Sequence, residues 1–398
     1  MREITECEVC GATDLKMVLD LGLHPLCDDL VGIGSARTCN EYPIEILFCE
    51  NCKTAHQRYQ VPKHELFGPD YHYRARMTGS VLKGMSDLVE SCAQKFGDLS
   101  EKTVLDVGCN DGSLLNYFKE KGCKTIGVEP TGAALDSPHL TLNSFFDAST
   151  ADKVLELVGQ PDFITFTNVF AHIEDLKGLL KNLKKLIGKN TVIVIENHYL
   201  GAVLDYGQFD SFYHEHPRTY SFNSFSHIAK TLGLNLVDCQ FVSRYGGNIR
   251  AYLSSASPID FLDINESRYN DMFAHMNLLI MNWKWKTKKM IDDFVLKSGK
   301  LRAKAFPGRA AILIKLLGLN ESHISAVYEI KGSIKVGHYV PGTRIPILPE
   351  ADLYMEKNLA SPILNLAWHL PKEVRENLLK NGYTGEVINI KNFEVNQL

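Results

Sequence analysis

The stretch Val104-Leu105-Asp106-Val107-Gly108-Cys109-Asn110-Asp111-Gly112-Ser113 decides the fold of this chain. A short apolar run is followed by a turn of small residues and then, from Leu114 onward, by helix-forming sequence. This order is typical of the first strand, turn and helix of a doubly wound sheet that holds a nucleotide-like ligand at the strand end. Gly108 and Gly112 let the backbone turn sharply and approach a ligand closely.

The spacing of the two glycines, G-x-x-x-G, differs from the G-x-G-x-x-G pattern that suits a pyrophosphate. About 20 residues further on, Rossmann-type sites place an acid that binds ribose hydroxyls, and here the run Lys124–Glu129 ends in Glu129. Together these features favour S-adenosylmethionine over NAD, although a turn whose glycines serve only packing remains the alternative. The residues predicted to hold this cofactor are Asp106, Gly108, Asn110, Asp111, Gly112, Glu129 and Asn168.

Length and composition indicate a protein of several domains. The 398 residues exceed one ordinary core. The net charge of −4 is spread along the chain, so no basic face for nucleic acid is expected. There is no run of about 20 apolar residues and no N-terminal signal pattern. We therefore expect a cytoplasmic protein, a monomer or weak dimer, that binds small molecules and neither nucleic acid nor membrane.

Ten cysteines are present, and four of them form two C-x-x-C pairs. The pairs Cys7/Cys10 and Cys49/Cys52 supply the four thiolates that close a structural zinc site. A redox C-x-x-C is the alternative for either pair alone, but neither pair opens a helix in a thioredoxin-like unit. The sequence thus predicts architectural zinc, with the residues between the pairs folding out as an excursion.

Strand and helix patterns alternate after the zinc region, which predicts a parallel sheet with helices on both faces. The predicted hairpin Leu236–Val242 and Gly247–Leu253 would end this sheet in one antiparallel strand. A smaller alternating pattern follows the long predicted helix Ala274–Leu296. The predicted fold is therefore α/β, with an N-terminal zinc-binding domain (1–72), a central Rossmann-like domain (73–256) and a smaller C-terminal Rossmann-like domain (257–398).

Ligands in such sheets bind beyond the carboxyl ends of the strands. His172 and Asn197 follow two of the predicted strands, and Asn197 is a candidate substrate contact. The segment Gln208–Pro217 contains Tyr213-His214-Glu215-His216, whose titratable side chains among aromatics indicate an active-site loop with acid/base chemistry. A metal site and a structural cluster stay open as alternatives for this loop.

Two further places are candidate substrate contacts. Tyr71 and Tyr73 precede the helix predicted from Thr78 to Phe96, on a junction from which a hydroxyl can reach a cleft. In the last domain, Thr343 and Arg344 of the Pro-Gly-Thr-Arg turn can hold a phosphate, or the turn can be purely structural.

Six motifs occur along the chain in a fixed order: the two C-x-x-C pairs, Tyr71-His72-Tyr73, Asp106–Gly112, Asn168–Ile173, Tyr213–His216 and Pro341–Thr343. In these motifs the whole chain resembles the zinc-containing, S-adenosylmethionine-dependent sugar C-methyltransferases, which methylate C-3 of nucleotide-linked 4-keto-6-deoxy sugars. In place of the family's glycine-rich helix start in the last domain, this chain reads Phe306-Pro307-Gly308-Arg309-Ala310-Ala311.

The resemblance implies that Tyr213, Glu215, His216 and His172 surround the reacting carbon, with Asn168 nearby. A ketone at C-4 acidifies the C-3 proton, so a base can form an enolate that takes the methyl group. His216 is the first candidate for that base and Glu215 the second, while Tyr213 and His172 are candidate donors to the oxyanion. A sugar O- or N-methyltransferase and a non-enzymatic zinc-ribbon binding protein are the alternative functions.

Overall fold

The structure, a computed structural model, describes residues 1–67, 74–258, 264–355 and 359–392. The chain forms two compact units. The first unit comprises Met1–Lys16, Leu47–Val203 and Glu215–Tyr269. The second comprises Met17–Ile46, Leu204–His214 and Asn270–Leu398. The predicted boundaries at 72 and 256 divide the chain at other points, because most of the excursion between the two cysteine pairs belongs to the second unit.

Short strands make up the N-terminal region. β4 and β5 are joined by the turn that carries the second cysteine pair, and β1 pairs with β6 in antiparallel register, Glu3 opposite Tyr59. The strands are β1 (Arg2–Glu3), β2 (Leu15–Pro25), β3 (Val31–Gly32), β4 (Glu41–Cys49), β5 (Thr54–Gln57) and β6 (Tyr59–Gln60).

Strands and helices alternate through the middle of the chain, as predicted. The elements are α1 (Lys63–Leu66), α2 (Gly79–Phe96), β7 (Thr103–Val107), α3 (Ser113–Glu120), β8 (Lys124–Val128), β9 (Leu140–Leu142), α4 (Ala148–Val158), β10 (Phe163–Thr167), α5 (Leu176–Leu186), β11 (Val192–His198), α6 (Leu200–Asp205), β12 (Arg218–Thr219), α7 (Phe222–Leu232), β13 (Asn235–Val242) and β14 (Asn248–Ser254).

The central sheet has the strand order β13-β14-β11-β10-β7-β8-β9. β8, β7, β10 and β11 are parallel to one another, whereas β14 is antiparallel to both of its neighbours. The predicted antiparallel hairpin strand is therefore present. Because β7, β8, β10 and β11 are parallel, their carboxyl ends lie at the same edge of the sheet.

Both faces of the central sheet are buried. Val104 and Leu105 are fully buried and, as neighbours on a strand, point to opposite faces. Leu105 packs in one core cluster with Ile164 and Ile193, and Val104 in another with Phe118. A parallel strand covered by helices on both sides reads as a continuous apolar run, which is why β7 could be predicted from its sequence.

The second unit contains a smaller sheet with the order β18-β16-β15-β19-β20, in which each neighbouring pair is parallel. This confirms the predicted second parallel unit. Its elements, after the long helix α8 (Tyr269–Ser298), are β15 (Leu301–Lys304), α9 (Ala310–Leu316), β16 (Ile324–Glu329), β17 (His338–Tyr339), β18 (Ile347–Pro349), α10 (Glu350–Met355), β19 (Ile363–Asn365), α11 (Pro371–Lys380) and β20 (Val387–Asn389).

The excursion between the cysteine pairs is held within the second unit. β3 pairs with β17 in antiparallel register, and the Asn277 amide on α8 donates to the backbone carbonyl of Val18 at 2.8 Å. Within the described parts of the chain, no helix combines the length and the apolar character needed to span a bilayer.

Candidate active site and zinc site

Four cysteine thiols come together in the first unit. The sulfur atoms of Cys7, Cys10, Cys49 and Cys52 all lie within 4.8 Å of one another, with distances of 3.4 Å between Cys7 and Cys52 and 3.5 Å between Cys10 and Cys49. A tetrahedral zinc ion with Zn–S bonds of about 2.3 Å places its sulfur ligands roughly 3.8 Å apart. The four thiolates therefore fit zinc, and because they fill its coordination they indicate a structural ion.

Polar groups surround these sulfur atoms. The His56 Nε2 atom lies 3.3 Å from Cys7 Sγ, and the Thr54 hydroxyl lies 3.0 Å from Cys52 Sγ. Such contacts to metal-bound thiolates orient them and lower the cost of burying their charge. His56 and Thr54 are both fully buried, so the zinc site is continuous with the interior of the first unit.

The predicted glycine turn follows β7. Gly108, Asn110 and Gly112 have positive φ angles of 73°, 51° and 76°. A Cβ atom on Gly108 would lie 2.5 Å from a Val169 methyl group, so only glycine fits there. The turn brings the backbone of α3 to the carboxyl end of β7, where the ligand of a doubly wound sheet binds.

Glu129 lies at the end of β8 and is buried. The backbone N–H groups of Asn110 and Thr131 donate to its two carboxylate oxygens at 3.0 and 2.8 Å. Each oxygen can accept a further hydrogen bond. The carboxylate is thus oriented at the strand end, with the acceptor capacity that ribose hydroxyls of S-adenosylmethionine require.

Asp106 is a buried carboxyl group near the end of β7. Burial raises its pKa to about 7; the Thr165 hydroxyl, which donates to Oδ1 at 2.7 Å, opposes the rise in pKa, and the negative charge of Glu129 adds to it. The protonated and charged forms of this carboxyl group therefore both occur near neutral pH. A bound cationic ligand would shift the equilibrium toward the charged form.

The other two polar residues of the turn hold the chain that precedes α2. The Asn110 carboxamide accepts from the Ala75 backbone N–H at 3.0 Å, and the Asp111 carboxylate accepts from the Arg76 backbone N–H at 3.0 Å. These side chains orient the segment that follows the predicted Tyr71 and Tyr73 contacts. Tyr71 and Tyr73 themselves lie outside the described residues.

Among the residues that the structure describes, several buried polar atoms at the ends of β10 and β11 have no hydrogen-bond partner. Neither side-chain polar atom of Asn197 has a partner, although the residue is only 1% exposed. Thr167 Oγ1 and Asn168 Nδ2 are also unpaired. An unpaired buried polar group costs about 1–3 kcal/mol, so this cluster indicates a place where a polar ligand binds.

Three imidazole rings lie together at the same strand ends. The rings of His172 and His216 are 4.8 Å apart, and those of His198 and His216 are 5.3 Å apart. Phe67 packs edge-on against His172 at 5.3 Å. Glu215 is buried beside His216 in the sequence. The structure therefore brings together the predicted residues His172, Glu215 and His216, and it adds His198.

The hydrogen bond of His172 fixes its tautomer. Its Nδ1 atom lies 2.7 Å from the backbone carbonyl oxygen of Glu215, and since a carbonyl oxygen only accepts, Nδ1 carries the proton. Burial lowers the pKa of His172 to about 4, against the opposing effect of the Glu215 and Asn168 carbonyls. The neutral ring therefore carries its lone pair on Nε2, which can accept a hydrogen bond. The predicted donation from His172 to an oxyanion stays a prediction.

A buried charge network that sequence reasoning missed lies next to this cluster. Glu196, fully buried, accepts from Arg250 Nε at 2.7 Å, from Arg244 Nη1 at 3.2 Å and from the Asn248 amide at 3.2 Å. The Asn248 amide also donates to Asn168 Oδ1 at 3.0 Å. An acid that ends the apolar strand Val-Ile-Val-Ile was the available signal, because a buried carboxylate requires a basic partner.

The first half of the predicted loop lies in the second unit. The buried Asp210 carboxylate accepts from Trp368 Nε1 at 2.9 Å and from Lys391 Nζ at 3.0 Å. Burial raises the pKa of Asp210, but the charges of Lys391 and Arg309 outweigh it and lower the pKa to about 2. The loop is thus anchored here by an ion pair, and Arg309 belongs to the stretch that departs from the resembled family.

Tyr213 is half-buried, and His214 is buried with a structural contact. His214 Nε2 donates to the backbone carbonyl of Tyr42 at 3.1 Å, and burial lowers the pKa of His214 to about 4. His214, the first of the two histidines of the loop, therefore anchors the loop to the backbone of Tyr42.

The predicted phosphate contacts of the last domain lie in a hydrogen-bonded turn. Thr343 Oγ1 donates to the Val340 carbonyl at 2.9 Å. The Arg344 guanidinium donates to the backbone carbonyls of Ser35, Ala36 and Arg37 at 2.8 to 3.3 Å. These bonds employ three of the five N–H groups of Arg344. A contact to phosphate through this turn stays a prediction.

Three family models match consecutive parts of the chain. A zinc binding domain matches residues 7–67, a methyltransferase domain matches residues 73–238, and a C-methyltransferase C-terminal domain matches residues 264–387. The first of these contains all four thiolates of the zinc site, and the second contains the glycine turn, Glu129 and the imidazole cluster.

Individual proteins are similar over different extents. C-methyltransferase NovU of Streptomyces niveus is 26% identical over 96% of this chain and 94% of its own length. The solved structure of magnesium protoporphyrin IX methyltransferase from Synechocystis PCC 6803 has a TM-score of 0.34 at 14% identity, covering 44% of this chain and 83% of that one. For the 1,6-didemethyltoxoflavin-N1-methyltransferase of Burkholderia thailandensis, the TM-score is 0.35 at 14% identity, with 51% and 96% covered. The protein is an S-adenosylmethionine-dependent C-methyltransferase, with zinc-binding, methyltransferase and C-methyltransferase C-terminal domains in that order.

Proposed function

We propose that the protein methylates C-3 of a nucleotide-linked 4-keto-6-deoxy sugar, through an enolate, for the biosynthesis of a branched sugar in the cytoplasm. The observation that supports this most is the imidazole cluster, in which His172 is bonded to the Glu215 carbonyl and its ring lies 4.8 Å from that of His216. Carbon methylation requires a base near the acceptor carbon. The imidazole rings support this proposal because they lie at the carboxyl ends of the strands, where ligands of doubly wound sheets bind.

His216 is the proposed base, with Glu215 as the second candidate. A base that takes up a proton becomes a cation, and a charged neighbour would disfavour this step. Because burial lowers the pKa of His172 to about 4, the ring beside His216 is neutral near pH 7 and does not oppose the charge. His172 therefore supports proton transfer by remaining uncharged.

The enolate oxygen needs hydrogen-bond donors, since negative charge develops on it as the proton leaves. Tyr213 is the proposed donor, because a phenol hydroxyl can donate a hydrogen bond and Tyr213 lies two residues before Glu215 in the loop. The unpaired amide of Asn197 is a proposed contact to the sugar. S-adenosylmethionine supplies the electrophilic methyl group that the enolate carbon accepts.

The nucleotide is proposed to bind the second unit. Thr343 and Arg344 are the proposed phosphate contacts, and the two remaining N–H groups of Arg344 can donate to a phosphate without loss of its carbonyl contacts. The alternative methyl acceptor is a sugar hydroxyl or amine. Methylation at oxygen or nitrogen does not require removal of an acidic C–H proton.

Hydrogen exchange tests the enolate directly. The enzyme is incubated in D₂O with S-adenosylhomocysteine and, in turn, dTDP-, GDP- and CDP-linked 4-keto-6-deoxy sugars, while NMR follows the C-3 proton. We expect enzyme-dependent loss of this signal with one of the nucleotides. The absence of exchange at every sugar carbon, with turnover intact, would favour an O- or N-methyltransferase.

Variants then assign the base. His216→Asn removes the proposed proton acceptor at nearly constant size, and exchange should stop. His227→Asn is the control, because His227 lies on α7 outside the imidazole cluster. Exchange that persists in His216→Asn transfers the role to Glu215.

A further inference from the structure

A buried arginine lies two residues after His216. Arg218 is fully buried, and its guanidinium donates to the backbone carbonyls of Ile173 and Glu174 and, through Nε, to the Tyr220 hydroxyl at 2.9 Å. Its remaining partner is the carboxylate of Glu8. Four contacts to one desolvated guanidinium fix its position closely.

Glu8 belongs to the first zinc knuckle, between Cys7 and Cys10. Its carboxylate also accepts from Gln60 Nε2 at 2.9 Å and lies 3.9 Å from His56 Nδ1. The opposite ring nitrogen of His56 lies 3.3 Å from Cys7 Sγ. Because Glu8 directly follows the zinc ligand Cys7 in the chain, its ion pair with Arg218 connects the zinc knuckle to the segment that follows His216.

Arg218 connects the segments that carry two of the three imidazole rings, those of His172 and His216. Ile173 and Glu174 directly follow His172. On the other side, Arg218 is opposite His56 in the antiparallel pairing of β12 with β5, and the Gln57 backbone N–H donates to the Pro217 carbonyl at 2.9 Å. The backbone on both sides of the imidazole pair is thus held against the zinc region.

A charge of this kind is costly to bury unless it is paired and fully hydrogen-bonded. The rings of Phe170 and Phe225 pack against Tyr220, the residue whose hydroxyl accepts from Arg218. A guanidinium, unlike an apolar side chain, forms directional hydrogen bonds and therefore restricts where its acceptors can lie. Its acceptors here are the two carbonyls that follow His172 and the carboxylate of the zinc knuckle.

We propose that Glu8 and Arg218 are positioning residues for catalysis: the zinc knuckle sets the relative placement of His172 and His216 through this ion pair. Only the roles of these two histidines are taken from the proposed function. The zinc site then contributes to turnover as well as to folding, although neither Glu8 nor Arg218 touches a reacting atom.

The test compares Glu8→Gln with the matched control Glu3→Gln. Glu3 pairs with Arg58 at 2.9 Å on the same N-terminal strands, but both side chains are more than one-third exposed. Zinc per chain, the Kd for S-adenosylmethionine, kcat, KM and the Cε1–H NMR signals of His172 and His216 are measured for each variant.

We expect Glu8→Gln to retain zinc and its Kd for S-adenosylmethionine, to shift both histidine signals, and to lose kcat by about 10- to 100-fold with little change in KM, since a displacement near 1 Å is sufficient for such a loss. Glu3→Gln should match the wild type in every measurement. Wild-type kcat and unshifted histidine signals in Glu8→Gln would overturn the proposal.

A second variant covers the case in which Glu8→Gln does not fold. Arg218→Lys keeps the charge but cannot reach Glu8 and both carbonyls at once, so it should show the same shifted signals and the same selective loss of kcat. Wild-type kcat and unshifted histidine signals in Arg218→Lys would contradict the proposal. The NMR comparison needs no sugar, so the proposal can be judged even if the keto-sugar substrate proves wrong.

Discussion

The protonation of Asp106 should make binding of S-adenosylmethionine depend on pH. This ligand is a cation, and the charged carboxylate is the form that attracts it. Burial raises the pKa of Asp106 in the free protein to about 7, with Thr165 opposing and Glu129 adding to the rise in pKa. Because this pKa is raised, the uncharged form predominates below pH 7, and affinity should fall as the pH is lowered through this range.

The magnitude follows from the fraction of protein in the competent form. With a pKa of about 7, roughly one-eleventh of the carboxyl groups are charged at pH 6 and roughly ten-elevenths at pH 8, so the apparent Kd should be about tenfold larger at pH 6. At pH 6 roughly ten-elevenths of the carboxyl groups carry a proton that must leave on binding, so binding should also release about 0.9 proton per ligand.

Calorimetric titrations from pH 6 to pH 8, in two buffers of different ionisation enthalpy, measure both quantities. Asp106→Asn cannot titrate and should bind with a pH-independent Kd and no proton release at this site. Asp98→Asn, at an exposed carboxylate, is the matched control and should retain the pH dependence of the wild type. A Kd of the wild type that stays constant between pH 6 and pH 8, or an equal dependence in Asp106→Asn, would refute the reasoning.

Three further outcomes are expected. His216→Asn should lose methylation while binding both ligands, as measured by turnover and calorimetry; turnover near the wild-type value would contradict the assignment. Cys49→Ser should lose zinc and unfold at a lower temperature, since zinc binding contributes directly to folding, whereas Cys239→Ser, outside the thiolate cluster, should retain its zinc; full zinc content in Cys49→Ser would exclude this site. Asn197→Ala should raise KM for the sugar about 5- to 100-fold, from the loss of hydrogen bonds to a buried polar group, and unchanged KM would remove Asn197 from the substrate site.

The central sheet could be predicted from the sequence because its signals are local. The apolar run before the glycine turn lies on β7 (Thr103–Val107), and the run that ends in Glu129 contains β8 (Lys124–Val128), so the turn and the acid mark the ends of both strands. By contrast, β15 reads Leu301-Arg302-Ala303-Lys304, and its charged residues conceal a buried strand. Lys304 is accommodated there by an ion pair with Glu350 at 2.7 Å.

The residues of the candidate site could be named from the sequence and from the family resemblance, but the distances and hydrogen bonds between them could not be predicted. His172 and His216 lie far apart in the sequence, and no periodicity predicts that their rings are 4.8 Å apart. The tautomer of His172 depends on a backbone carbonyl, whose direction only the folded loop sets. Arg218 was not singled out for the same reason, because its partners Glu8 and Ile173 come from distant segments.

The most direct test of the central claim is the position of the transferred methyl group. The enzyme is given S-adenosylmethionine with a ¹³C-labelled methyl group and a 4-keto-6-deoxy sugar nucleotide that is ¹³C-labelled at C-3, and the product is examined by NMR. Carbon methylation through an enolate predicts a one-bond ¹³C–¹³C coupling between the new methyl group and C-3, together with loss of the C-3 proton. A labelled methyl group attached to oxygen or nitrogen, without that coupling, would contradict the account.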